Sequence, residues 1–181
     1  MKLKILIPIL LILVLFAGTA SASTFEYNPT LYGHNIACGD GHVMTLTVYP
    51  DAEKLAYTDV IYYLMQDKTD EIAGAEGEWL CTDYAETLHN NAENDGIECY
   101  VVCLTFGKHS QWSTENLCME LIPHGHVCNV FPLDDGSLLY VDSTQGDYIS
   151  TVSEGERYKV TSVYDSDDVR TFGKIKDVKI V

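Results

Sequence analysis

The stretch Trp79-Leu80-Cys81-Thr82-Asp83-Tyr84-Ala85 sets a cysteine where an amphipathic helix begins. The preceding Glu76-Gly77-Glu78 is turn-forming and poorly helical, whereas Tyr84, Ala85, Leu88 and Ala92 recur at the spacing of one buried helix face. Asn94-Asp95-Gly96 ends the pattern with a glycine able to take the left-handed conformation. The free N–H groups and positive dipole end of such a helix would lie under the Cys81 sulfur, where they favour a thiolate.

Working outward, residues 97–106 are rich in β-branched, aromatic and cysteine residues and predict a strand buried on at least one side. A short strand is expected over 117–122, ended by Pro123, and two more over 158–164 and 175–181. Residues 127–131 and 138–141 flank Asp134-Asp135-Gly136 and read as a hairpin. Before the cysteine, residues 43–49 predict a strand, and Asp51 is a candidate N-cap for a helix running to about residue 68. Leu55, Val60, Ile61, Leu64 and Met65 would form the apolar face of that helix. Two helices followed by a run of strands predict an α+β domain with a mostly antiparallel sheet.

The hairpin turns this pattern into a candidate site. A three-residue loop wants a left-handed residue at its last place, which Gly136 supplies. Leu133 then pairs with Ser137, Cys128 falls opposite Asp142, and His126 lies one diagonal step away, roughly 7–8 Å between backbones. His126, Cys128 and Asp142 share one face in that register. A two-residue turn on Asp135-Gly136 would instead put His126 and Asp142 on opposite faces. Thiol acyl chemistry needs a thiolate nucleophile, a histidine to stabilise it and carry the proton, and a carboxylate to fix the imidazole tautomer. Cys81, His126 and Asp142 fill those roles. His126 is preferred to His124, His89 and His109 because it opens the apolar strand, whereas His124 sits in a Pro-His-Gly bend. The Cys81 backbone N–H is a natural oxyanion donor; Trp79 is a candidate side-chain donor, with core packing as its other role.

Charge and export signals bound the function class. Residues 1–22 read as a secretory signal: Lys2 and Lys4, an almost wholly apolar run over 5–16, and small residues at Ala20-Ser21-Ala22. The apolar run is short of the roughly 20 residues of a membrane span, so a secreted, extracytoplasmic protein with no integral span after signal removal is expected, with an uncleaved N-terminal anchor as the alternative. The whole chain has 11 basic and 27 acidic residues; without Lys2 and Lys4 the mature part has 9 against 27, or −18. Such a balance repels nucleic acid and anionic membranes. The remaining residues 23–181 suffice for one domain, with its core expected over 52–146. Oligomeric state is open.

The six cysteines are Cys38, Cys81, Cys99, Cys103, Cys118 and Cys128. An even count suggests three bridges, but one catalytic thiol would leave an odd number. Cys99 and Cys103, about 13 Å apart along a strand, cannot bond each other without a sharp bend. No C-x-x-C spacing occurs, so neither a metal nor another cofactor is expected. The acidic run Asp165-Ser166-Asp167-Asp168 lacks the glycine and glutamate of a calcium loop and reads as a solvated turn.

The segment 79–144 resembles the transglutaminase-like, papain-related cysteine proteins. The resemblance rests on Cys81-Thr82-Asp83-Tyr84-Ala85 with Leu88, on Gly96-Ile97, on His126-Val127-Cys128-Asn129-Val130 and on Tyr140-Val141-Asp142-Ser143-Thr144. Glu98-Cys99-Tyr100, Cys128 and Ser143 stand where the family often has an arginine, an aromatic residue and a proline. The resemblance implies a papain-like core, with the catalytic helix packed on an antiparallel sheet. It also implies hydrolysis or transfer of amide or isopeptide bonds in a peptide or protein substrate. The alternative is a non-catalytic binding or scaffold protein on the same fold, with Cys81 in a disulfide.

Overall fold

The computed structural model describes residues 21–31, 34–72, 79–107, 125–144 and 146–181. In chain order they form β1 (Ser23–Tyr27), β2 (Thr30–Leu31), β3 (His34–Asn35), β4 (Met44–Val48), α1 (Tyr57–Leu64), α2 (Thr69–Ile72), α3 (Cys81–Asn94), β5 (Tyr100–Phe106), β6 (Gly125–Pro132), β7 (Leu138–Asp142), β8 (Tyr148–Thr151), β9 (Arg157–Ser162) and β10 (Val169–Ile180). The strand expected over 117–122, together with His109, His124, Cys118 and residues 1–20, lies outside the described residues.

The expected α+β class with a mostly antiparallel sheet is what forms. The sheet closes into a six-stranded barrel in the order β10-β5-β6-β7-β8-β9, every neighbouring pair antiparallel. All six strands contribute to its interior, for example Leu104, Cys128, Tyr140, Tyr148, Tyr158 and Ile175. Closure leaves none of the six with an unpaired edge. β6 is buried along its whole length because one face lines that interior and the other lies under helices. Val60 and Leu64 of α1 and Leu88 and Ala92 of α3 cover its outer face, with Phe131, Leu139 and Val141 beneath them.

Helix α3 spans the residues its apolar period predicts, with Tyr84, Ala85, Leu88 and Ala92 all buried. Its N-cap, Leu80, has no side-chain acceptor; the Asp83 carboxylate, three residues on, accepts the Leu80 N–H at 2.8 Å instead. Its end closes as a Schellman motif: Ile97 N–H donates to the Ala92 carbonyl at 2.9 Å and Gly96 N–H to Glu93 at 3.0 Å, with Gly96 at φ 77°.

The helix expected from Asp51 to about residue 68 is a correction. α1 is capped by Ala56 and ends at Leu64, and the preceding segment is extended. Glu53 and Leu55 use their backbones sideways, in parallel bridges to Ile97 and Leu133. Glu53 N–H donates to Gly96, and Asp134 N–H to Leu55. A carbonyl spent on such a bridge is lost to the i→i+4 ladder. β5 likewise starts at Tyr100 rather than Ile97, because Ile97 is held by that bridge and by the end of α3.

The strand expected over 43–49 forms as β4, and it pairs with β1 in a two-stranded ribbon whose Met44 and Leu46 pack on α3 beside Cys81. None of the helices among the described residues is long and apolar enough to cross a membrane.

Candidate active site

The turn on which the site depends is the three-residue one. Leu133 N–H donates to the Ser137 carbonyl at 2.8 Å, Gly136 has φ 85°, and the ladder runs Pro132 with Leu138 through Asn129 with Val141. His126 near the start of β6 and Asp142 at the end of β7 therefore meet. Asp142 Oδ2 lies 2.7 Å from His126 Nε2. Cys81, the first residue of α3, lies close enough to the same imidazole to raise its basicity. With Nε2 held by the carboxylate, Nδ1 is the ring nitrogen open to the sulfur. The three residues singled out from the sequence are thus brought together, all under 5% exposed.

Asp142 is held on every side. Oδ2 also accepts the Tyr158 hydroxyl at 2.8 Å, and Oδ1 accepts the Thr144 N–H at 3.1 Å and the Thr144 hydroxyl at 2.6 Å. Burial alone would favour its neutral form, but His126 and the Thr144 donors outweigh it and hold the carboxyl well below the usual range. Burial likewise opposes charge on His126, yet Asp142 first and then Cys81 raise it to about 10. At neutral pH the sulfur therefore faces an imidazolium whose position is fixed by a carboxylate.

Tyr158 escaped the sequence reading. It sits on β9 and lies under the imidazole, ring centroids 5.5 Å apart. Burial first, and the Asp142 charge next, push its hydroxyl well above the ordinary phenol value, so it remains a donor. No local signal marks it: a tyrosine in an alternating strand is ordinary, and its partner is 16 residues away in sequence.

The rival histidine His89 is buried elsewhere, its Nε2 2.9 Å from the Thr47 carbonyl, and burial lowers its basicity. Trp79 packs edge-on against Tyr84 at 5.4 Å between centroids. Cys128 points into the barrel interior, where burial and then Asp142 push its thiol up. The five described cysteines, including Cys81, are free.

The linkage of the pair to folding has a definite sign. His126 is raised above its ordinary 6.5, so its contribution is complete below pH 6.5 and declines as pH rises toward about 10. Asp142 is lowered from 3.8, so its contribution holds above that value and is lost as pH falls. The free energy of urea unfolding of wild type minus that of His126→Gln should therefore shrink steadily above about pH 6.5. A difference that stays flat to about pH 10 contradicts the raised imidazole.

A comparison of this chain with protein-family models, with curated proteins and with solved structures finds no match.

Proposed function

We propose that this chain is an exported thiol enzyme with a transglutaminase-like, papain-related core, which hydrolyses or transfers amide or isopeptide bonds. The observation that carries the reading is the His126–Asp142 contact at 2.7 Å, with Cys81 at the start of α3 acting on the same ring. The residues are suited to two balanced half-reactions. The Cys81 sulfur adds to the amide carbonyl, and the oxyanion is received at the start of α3, where the first N–H groups of a helix have no intrahelical acceptor. His126 gives its proton to the departing amine, leaving a thioester on Cys81. His126 then takes a proton from water or from a second amine as that nucleophile attacks, and the acyl group leaves as acid or as new amide.

Asp142 holds the imidazole in one tautomer and orientation through both half-reactions. The choice between water and amine belongs to the acceptor that reaches the thioester. The substrate class is a peptide or protein amide.

Labelling by an iodoacetamide probe at mildly acidic pH tests the reading. The wild-type protein should label at Cys81, and Cys81→Ala should not, while circular dichroism shows both folded. Equal labelling of the two proteins sinks the proposal.

A further inference from the structure

A second cluster of ligand-type side chains lies on the turn of α3 next to the nucleophile. Cys38, His42 and Asp83 each direct one ligand atom into a space where all three lie within 4.8 Å of one another. Glu86 belongs to the same group: its Oε2 is 3.3 Å from the Cys38 sulfur and 2.8 Å from His42 Nε2. We propose that Cys38, His42, Asp83 and Glu86 form a binding site for one divalent cation of the zinc class.

The two halves of the site are built by different local rules. Cys38 and His42 sit at the ends of a tight turn: Cys38 N–H donates to the His42 carbonyl at 3.0 Å, and Gly41 N–H returns to Cys38 at 2.8 Å. Gly41 has φ 89°, which few other residues accept at low cost. Asp83 and Glu86 are three residues apart on a helix, and so on one face. A thiolate, an imidazole and two carboxylates match the soft-to-hard ligand mixture of tetrahedral zinc sites.

The surrounding hydrogen bonds orient the ligands. Asp83 Oδ2 accepts the N–H groups of Gly39 and Leu80, both at 2.8 Å, which leaves Oδ1 for a cation. Glu86 Oε1 accepts Thr45 N–H at 2.7 Å, and Oε2 turns toward Cys38 and His42. His42 Nδ1 contacts the Asp40 carboxylate, the usual outer partner of a metal-bound imidazole. An ion pair of His42 with Glu86 would need neither the buried thiol nor Asp83.

Binding is balanced in charge and protons. Without a cation, the Cys38 thiol donates to Glu86 Oε2, and His42 Nε2 lies against the same oxygen. A divalent ion would take the place of the thiol proton, which leaves to solvent together with any proton on the coordinating imidazole nitrogen. The His42 side chain is 44% exposed, which provides the path of entry. Cys38 also packs in the cluster that covers Cys81, so the ion would pin that cover to α3.

Titration of the purified protein with Co2+, and competition by Zn2+, tests the site. One equivalent of Co2+ should give the near-ultraviolet sulfur-to-cobalt absorption of a thiolate site, and Zn2+ should remove it. Cys38→Ser should abolish that absorption, and His42→Ala, at an exposed residue, should weaken affinity at least about tenfold. Cys81→Ala should leave both unchanged, which separates this site from the proposed catalytic thiol. Absence of the absorption in wild type, its survival in Cys38→Ser, unchanged affinity in His42→Ala, or its loss in Cys81→Ala overturns the proposal.

Discussion

Asp142→Ala should remove about 3–5 kcal/mol of folding stability at neutral pH, read as a fall in the urea midpoint with the slope unchanged. The carboxylate is 4% exposed and takes four hydrogen bonds, from His126, Tyr158 and twice from Thr144. Alanine leaves a buried imidazolium without its counter-charge and a buried hydroxyl without an acceptor. The ring relieves part of this by losing its proton, but the Tyr158 hydroxyl and the Thr144 N–H have no such escape. Against a total of about 5–15 kcal/mol for a domain, the loss is severe. Asp142→Asn keeps an acceptor for Thr144 while setting an amide N–H2 among the donors, so it should fall between wild type and alanine. A loss below about 1 kcal/mol for Asp142→Ala would mean that water, not these four donors, solvates the carboxylate.

Two features of the chain were legible because their causes are local. The period of Tyr84, Ala85, Leu88 and Ala92, with Gly96 after it, carries α3 from first to last residue. The glycine of Asp134-Asp135-Gly136 sets the hairpin register, and parity alone then puts His126 and Asp142 on one face. What stayed hidden depends on contacts distant in sequence. Asp51 looks like a cap, yet the bridges from Glu53 to Ile97 and from Leu55 to Leu133 hold the chain extended to Ala56. Tyr158 completes the Asp142 environment only because β9 curls round to close the barrel. The ligand group at Cys38 and His42 pairs a loop with residues more than forty positions away, so no spacing motif announces it, and the expectation of no metal rested on motifs alone.

His126→Ala should slow alkylation of Cys81 by about 100-fold at pH near 6, measured by mass spectrometry of the labelled protein. Thiolate, not thiol, is the attacking species, and an isolated thiol titrating near 8.5 has only about 0.3% of it at pH 6. In the wild-type chain the sulfur faces an imidazolium held charged by Asp142. Removing the ring takes away that positive partner and leaves the Asp142 carboxylate behind, so the local field then opposes a second negative charge. The other described thiols do not obscure the reading. Cys103 and Cys128 are buried, and burial pushes both thiols up, so neither competes for the reagent at this pH. Cys38 is raised by burial and by Glu86. Thr144 and Tyr158 still donate to Asp142 in the variant, and circular dichroism checks that it is folded before the rate is read. Equal rates in wild type and His126→Ala would show that the helix terminus alone activates the sulfur, and would remove histidine from the proposed mechanism.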